Sequence, residues 1–251
     1  MTYELMASVY DHLMEDAPYD EWVAFTNAIL ERADAPMKRI VDLGCGTGII
    51  TTKLANAGYE LIGVDVSPDM LSQAHHRAEH NNVNVQWLCQ DLRHLEGIKE
   101  MDVAISYCDV MNYITTEEDL LTVFQNAADA LRRDGLFIFD VHSLYHVEHH
   151  CINQTFADVT DTSAYIWFCM EGESRGEMYH DLTFFTKVSD TYKKFTELHH
   201  QRTFPIERYK YLLNQAGFEF CNLYGDFSLK EETVTEETER LFIIARKKAG
   251  N

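Results

Sequence analysis

The residues best suited to chemistry lie in a glycine-rich segment, VDLGCGTG, that runs from Val41 to Gly48. The segment falls where an apolar run ends and a helical pattern begins. Its glycines predict a turn that lets the backbone pass close to a ligand and leaves helix N–H groups pointing at it. Asp65 follows about twenty residues later, where a carboxylate can accept hydrogen bonds from both hydroxyls of a ribose. The spacing indicates a site for an adenosine-containing ligand, with a plain strand-to-helix turn as the alternative.

The carboxylates around this turn favour a cationic cofactor. Asp42 lies two residues before the first glycine, and Asp91 ends the third apolar run, in QDLRHL. A pyrophosphate gains nothing from nearby acids, whereas carboxylates complement the positive charges of a sulfonium that also carries an ammonium group. Because nicotinamide and flavin cofactors also use glycine-rich turns, a nicotinamide dehydrogenase stays an alternative.

Composition and charge exclude several classes of protein. The chain has 251 residues, 46% of them apolar, which is enough to bury one substantial core plus an insertion. Acidic residues outnumber basic ones 41 to 21, and the formal charge of -20 repels phosphate backbones, so we expect neither nucleic acid nor a membrane as a partner.

The six cysteines lack C-x-x-C spacing, and the first residues lack the apolar segment of a signal peptide. We therefore expect a cytoplasmic protein with reduced thiols.

The order of elements predicts an α/β fold. From Arg39, short apolar runs alternate with helical segments, which predicts five parallel strands before residue 142 in a doubly wound sheet. A helix that begins at Pro205 and two strand-like runs, FEFCNLYGDF and RLFIIARK, complete the pattern. Trp22 belongs to an apolar series at helical spacing, so residues 1–35 are interpreted as a helical cap or lid.

An insertion interrupts this pattern between residues 142 and 204. It is rich in aromatic and β-branched residues, as in SAYIWFCM and LTFFTKV, which predicts an antiparallel β-meander. It leaves the sheet at the edge where open α/β sheets bind ligands, so we expect it to cover the site and select the substrate. The alternative is a stabilising or dimerising element, and a homodimer would follow from that. Residues 36–141 and 205–251 then form the cofactor-binding domain around the insertion.

The segments VDLGCGTG, GVDVSPDML, QDLRHL and LRRDGLFIFDV together resemble the class I S-adenosylmethionine-dependent methyltransferases that act on small molecules. The resemblance covers about residues 36–141 and 205–248. It implies a Rossmann-like, mostly parallel seven-stranded sheet in which the last two runs form the closing antiparallel hairpin. It also implies transfer of a methyl group from S-adenosylmethionine to an oxygen, nitrogen or carbon atom of a small molecule, with S-adenosylhomocysteine as product.

The resemblance also implies a set of cofactor contacts. Gly44, Gly46 and Gly48 would cradle the methionine and ribose portions, and Asp65 would hold the ribose. Asp91 would accept the adenine amino group, while the Leu92 N–H reaches a ring nitrogen. The remaining predicted contacts are Asp42, Cys45, Val66, Met70, Cys108, Tyr10 and Trp22.

The predicted acceptor site lies after the fourth and fifth strands. The loop from Tyr107 to Tyr113 occupies the position where the family places substrate, which implies roles for Asp109, Asn112 and Tyr113. His142 follows the fifth strand at the ligand-binding edge, and Arg202 would clamp a substrate carboxylate unless it forms an ordinary surface pair. A general base is needed only if the acceptor has a proton to lose, and the candidates are His142, Tyr10 and Tyr113.

Two alternatives concern function and one concerns metal. The acceptor could be a protein or ribosomal component, or the fold could bind S-adenosylmethionine without catalysis. Histidines cluster between His142 and His150, where three could face one side of a helical turn. They do not form a recognised zinc pattern, so we predict no metal.

Overall fold

The computed structural model describes residues 17–33, 35–230 and 234–248. Its longer helices are α1 (Tyr19–Glu31), α2 (Ile49–Asn56), α3 (Pro68–His80), α4 (Glu117–Ala130) and α5 (Ile206–Gln215). Its strands are β1 (Arg39–Leu43), β2 (Glu60–Asp65), β3 (Val85–Cys89), β4 (Met101–Ser106), β5 (Leu131–His142), β6 (Thr155–Val159), β7 (Ser163–Glu171), β8 (Glu177–Val188), β9 (Thr191–Arg202), β10 (Phe218–Gly225) and β11 (Arg240–Lys247).

The larger sheet has seven strands in the order β10-β11-β5-β4-β1-β2-β3. Strands β1 to β5 pair in parallel, and the order reverses on either side of β1. Strand β11 lies antiparallel to both β5 and β10. The predicted doubly wound sheet with a C-terminal hairpin is confirmed, and its carboxyl edge is the ligand-binding edge of such folds.

Local signals fix where the crossover helices begin. The Ser67 hydroxyl accepts the Met70 N–H at 3.3 Å, and Pro68 occupies the first turn of α3. The Thr116 hydroxyl accepts the Asp119 N–H at 3.1 Å at the start of α4. Such caps satisfy backbone donors that have no partner inside a helix. They also fix the turns that precede these helices, and those turns carry site residues.

Helix α1 covers one face of the large sheet. Trp22, Phe25 and Ile29 are buried there, as their helical spacing predicts. The Phe25 ring lies 4.4 Å from the Phe242 ring of β11, measured between centroids. Burying an aromatic side chain contributes on the order of 2 kcal/mol, so this packing holds α1 firmly on the sheet.

The inserted strands form a separate antiparallel sheet in the order β6-β7-β8-β9. A helical segment precedes it: Leu144–His146 is α-helical and Val147–Cys151 is a π-helical turn. The predicted antiparallel meander is confirmed by these four strands, whereas residues 144–151 are helical instead, and there the Ser143 hydroxyl caps the His146 N–H at 2.9 Å. In the described ranges, no helix is both long and apolar enough to cross a membrane.

Candidate active site

A cavity of about 790 Å³ lies between the carboxyl edge of the parallel strands and the second sheet. One end is lined by the glycine turn and Asp65, and the other by Trp167, His180 and Phe184 of β7 and β8. Its volume falls within the range of about 300 to 1,000 Å³ that is usual for small-molecule sites. The fold thus brings the two halves of the predicted site into one space.

The glycine turn keeps one side of this cavity open. Gly44, Gly46 and Gly48 all have positive φ, a conformation that glycine adopts without strain. A Cβ atom added at Gly44 would lie 2.5 Å from the Val110 side chain, whereas one added at Gly46 would meet no protein atom within 4 Å. Gly46 therefore borders open space, where a ligand can approach the backbone.

Asp65 is held by the turn that it faces. Its Oδ2 accepts the Gly46 N–H at 2.8 Å, and its Oδ1 accepts the Ser67 N–H at 2.8 Å. Burial raises the pKa of Asp65, and these backbone donors partly offset that rise. The carboxylate is fixed at the end of β2 with lone pairs left for a ligand that donates hydrogen bonds.

Asp42 is the second acid at this end of the cavity. It is buried at the end of β1 and accepts the Thr51 hydroxyl at 2.6 Å. Burial raises its pKa to about 7, with a further rise from the nearby Asp65 and a partial offset from Thr51. A cationic ligand would favour its ionised form, because opposite charge lowers the pKa of a carboxyl group.

The predicted adenine contacts line the cavity beyond Asp65. Met70, Val66 and Leu92 border it, as does Asp91, which lies two residues after β3. The side chain of Arg93 pairs with the Asp91 carboxylate at 2.6 Å, and these hydrogen bonds lower the pKa of Asp91. Asp91 is thus ionised, which suits an acceptor for an amino group.

A buried charge cluster borders the cavity through Asp109 and Arg240. Asp140 of β5 is fully buried, and its Oδ2 accepts the Arg240 Nη1 at 2.5 Å and the Trp22 Nε1 at 3.1 Å. Its Oδ1 accepts the Asp109 N–H at 3.1 Å. The cluster joins β5, β11, α1 and the loop after β4. Sequence reasoning missed Asp140 and Arg240, since the two partners are 100 residues apart.

Asp109 links this cluster to the second sheet. Its Oδ2 accepts the Gln201 Nε2 at 2.9 Å, and its Oδ1 lies 3.4 Å from the Arg240 guanidinium and from the His142 Nε2. Burial opposes ionisation, but His142, Arg240 and Gln201 together lower the pKa of Asp109. Asp109 and the preceding Cys108 both have positive φ, at 55° and 57°. Such strain in non-glycine residues clusters at functional sites.

A hydrogen-bond chain in the second sheet orients Gln201. The Trp167 Nε1 donates to the His180 Nδ1 at 2.8 Å, which leaves the His180 Nε2 facing the Gln201 Oε1 at 3.0 Å. A neutral His180 with its proton on Nε2 satisfies both bonds, and burial lowers its pKa accordingly. The amide of Gln201 must then present its nitrogen to Asp109. Neither His180 nor Gln201 was among the predicted site residues, whereas the aromatic residues of the insertion, Trp167 included, were expected to supply apolar walls.

His142 and Tyr113, two of the general-base candidates, both line the cavity. Burial lowers the pKa of His142 to about 3, despite the neighbouring Asp109, so its imidazole is neutral. The Tyr113 hydroxyl lies 2.9 Å from the His199 Nδ1, and the His199 Nε2 lies 2.8 Å from Glu197. Burial and Asp109 raise the pKa of Tyr113, so its hydroxyl stays protonated.

Some predicted contacts lie elsewhere. Asn112 is fully buried and binds backbone instead: its Nδ2 donates to the Arg202 carbonyl at 3.0 Å, and its Oδ1 accepts the His142 N–H at 3.0 Å. Arg202 packs over the Phe204 ring at 4.6 Å.

Trp22 lies in the core, and a Cβ at Gly48 would meet Trp87 and Ala74. Four predicted contacts are therefore not among the residues that line the cavity, and their side chains or backbone pack against protein instead: Asn112, Arg202, Trp22 and Gly48. Tyr10 lies outside the described residues.

The histidine cluster forms a stack. The His142 and His146 rings lie 4.6 Å apart, and the His146 and His150 rings 5.8 Å apart. Glu239 approaches both His146 and His150, at 3.4 and 3.8 Å. Across residues 17–33, 35–230 and 234–248, no group of three or more histidine, cysteine or acidic side chains is arranged to hold a metal ion.

Comparisons with known proteins identify the family. The family model for a methyltransferase domain matches residues 40–135. YqeM of Bacillus subtilis (strain 168), named as a methyltransferase by inference and without an acceptor, is 37% identical over 248 residues, which cover 98% of each chain. The glycine/sarcosine N-methyltransferase of Aphanothece halophytica is 24% identical over 84% of this chain and 76% of its own length.

The fold has a solved counterpart. The crystal structure of an S-adenosylmethionine-dependent methyltransferase from Clostridium acetobutylicum ATCC 824 superposes with a TM-score of 0.89 and 26% sequence identity. The match covers 99% of this chain and 100% of that one. These findings confirm the resemblance seen in the sequence motifs. The chain belongs to the class I S-adenosylmethionine-dependent methyltransferases.

Proposed function

We propose that the enzyme transfers a methyl group from S-adenosylmethionine to a small molecule held beneath the second sheet. One observation carries this proposal. The cavity is continuous from the glycine turn to the inward faces of β7, β8 and β9, so one space borders both the predicted cofactor residues and the insertion. Residues 142–204, which the sequence predicts to cover the site, would then lie over the acceptor.

The residues at the glycine turn fit the cofactor chemically. Asp42, Asp65 and Asp91 surround that end of the cavity, which would oppose a phosphate-bearing cofactor and complement a sulfonium and an ammonium group. The open face of Gly46 leaves room for the ligand against the backbone. Asp65 would bind the ribose hydroxyls, and Asp91 with the Leu92 N–H would bind adenine. Met70, Val66, Cys45 and Cys108 would supply the surrounding walls.

When bound, the cofactor supplies an electrophilic methyl group on a good leaving group. The protein therefore has to align the acceptor, exclude water and stabilise charge. Asp109 and Tyr113 would orient the acceptor beneath the roof formed by Tyr165, Trp167 and Phe184. His142, neutral and beside Asp109, would receive a proton only from an acceptor acidic enough to lose one.

The name of one relative supports a small acceptor. The protein from A. halophytica is a glycine/sarcosine N-methyltransferase, and its match extends through most of this chain. A protein or ribosomal acceptor would require an open cleft, whereas the second sheet stands over this cavity.

The test uses labelled methyl donor and a cell extract divided by dialysis. The purified enzyme is incubated with methyl-labelled S-adenosylmethionine and either the dialysable or the macromolecular fraction. We expect label in the dialysable fraction, formed with an equal amount of S-adenosylhomocysteine, and much less with Asp65→Asn. Label in the macromolecular fraction would refute the small-molecule assignment, and failure to bind S-adenosylmethionine would refute the site.

A further inference from the structure

The half of the cavity beneath the second sheet offers carboxylates and no unpaired arginine or lysine among the described lining residues. Arg93 and Arg240 line the cavity, and each is already paired, with Asp91 at 2.6 Å and Asp140 at 2.5 Å. Asp109 and Glu197 remain partly open, with about a fifth of each side chain exposed, at 20% and 19%. An anionic acceptor would meet repulsion here, and a cationic one attraction.

The roof adds a second feature that favours a cation. Tyr165, Trp167 and Phe184 present aromatic rings to the cavity. The face of an aromatic ring attracts an ammonium group by about 0.5 to 2 kcal/mol, depending on how far the pair is desolvated. Carboxylates with aromatic walls form a receptor for an organic ammonium ion.

Asp109 is the best placed of these groups. It is fixed by Gln201, which the chain from Trp167 through His180 orients, and by the backbone bond to Asp140. Its contacts with Arg240 are long, at 3.4 Å, so this carboxylate retains capacity to accept another donor. It lies in the loop after β4, between the predicted cofactor region and the roof.

We infer that the acceptor is an aliphatic amine, which Asp109 binds and orients, with His180 and Gln201 as positioning residues. This inference rests on the proposed function and specifies its substrate class. The ammonium form would bind first and release one proton to water. The nitrogen lone pair then forms the new N–C bond, while the C–S bond breaks and its electron pair stays on sulfur. The positive charge moves from sulfur to nitrogen, where Asp109 stabilises it.

The test measures binding without turnover. Protein saturated with S-adenosylhomocysteine is titrated in a calorimeter with benzylamine, benzyl alcohol and benzoate, which are close in size and differ in charge. Because the methionine ammonium is already bound in this complex, any preference reports the acceptor half alone. We expect benzylamine to bind at least tenfold more tightly than either other probe.

Three substitutions and one control substitution connect the preference to named residues. Asp109→Asn should abolish the preference for benzylamine, whereas Asp181→Asn should keep it, since Asp181 is the same residue type on the outward face of β8. Glu197→Gln and Gln201→Leu leave Asp109, Asp140 and Arg240 in place and should weaken benzylamine binding at least threefold. Gln201→Leu would act by removing the amide that fixes Asp109. They replace Asp109→Asn as the test if thermal melting shows that this variant does not fold.

The outcomes separate the two proposals. Equal or tighter binding of benzyl alcohol or benzoate, or no binding of benzylamine, would overturn the amine inference while S-adenosylhomocysteine still binds. Full preference retained in folded Asp109→Asn, Glu197→Gln and Gln201→Leu would overturn the roles of these residues. Absence of S-adenosylhomocysteine binding would instead overturn the proposed function.

Discussion

Replacing Asp65 with asparagine changes one atom in the proposed ribose site. In the native chain both carboxylate oxygens accept backbone N–H groups, from Gly46 and Ser67, each at 2.8 Å. The amide of asparagine can satisfy only one of these donors and must direct its own NH₂ toward the other. The turn should therefore lose one charge-assisted hydrogen bond, which contributes about 1.5 to 3 kcal/mol.

The same atom change weakens the bond to a ribose hydroxyl. One charge-assisted bond lost in the complex corresponds to an increase in Kd of about tenfold to 150-fold. The assay is calorimetric titration with S-adenosylmethionine, with Glu60→Gln as the matched control, because Glu60 lies exposed at the opposite end of β2. Thermal melting of both variants checks that they are folded.

A modified ligand distinguishes a ribose contact from a disturbed turn. The 2′-deoxy form of S-adenosylhomocysteine should bind the native enzyme more weakly than the parent compound, and the difference should shrink in Asp65→Asn. An unchanged Kd in folded Asp65→Asn would refute the ribose role. An equal penalty for the deoxy ligand in both proteins would show that Asp65 only supports the turn.

Three further predictions concern single sites. Gly46→Ala should weaken S-adenosylmethionine binding at least tenfold in calorimetry. The control is Gly97→Ala, because Gly97 has a similar positive φ and equally open surroundings. Both variants should have a backbone strain of about 1 to 2 kcal/mol, but Gly97→Ala should leave Kd unchanged. Because the pKa of Asp42 is about 7 and a cation favours its ionised form, affinity should rise as pH increases through that value, and Asp42→Asn should flatten this part of the calorimetric profile. Burial lowers the pKa of His142 from 6.5 to about 3, so the unfolded chain binds a proton that the folded protein excludes. Urea denaturation should therefore show the native protein losing more stability than His142→Gln between about pH 7 and about pH 5, and equal losses would contradict the neutral imidazole.

The sequence predicts features whose cause is local. The glycine turn, the caps at Ser67 and Thr116, and the order of strands and helices each depend on residues close together in the chain. Asp65 was identifiable for the same reason, because its distance from the glycines is set by one helix and one strand. The family follows from these segments and from the comparisons.

The half of the cavity beneath the second sheet depends on contacts between segments that are distant in the sequence. Asp109 meets Gln201 across 92 residues and Arg240 across 131 residues, and neither pairing leaves a local pattern. Arg202 illustrates a second limit. Side chains alternate along β9, so a shift of one position exchanges the residue that faces the cavity, and Gln201 occupies that position instead of Arg202.

The insertion leaves and rejoins the large sheet at two adjoining points. Asn112 bonds to the His142 N–H and to the Arg202 carbonyl, and the Thr203 hydroxyl donates to the His142 carbonyl at 2.5 Å. These hydrogen bonds hold the first and last residues of the insertion next to each other. The large sheet therefore keeps the same contacts there, whatever length of chain lies between these two residues. The cost of closing a loop grows only slowly with its length. This segment can therefore be lengthened, shortened or replaced without altering the large sheet, and under the proposed function such a replacement would exchange the acceptor.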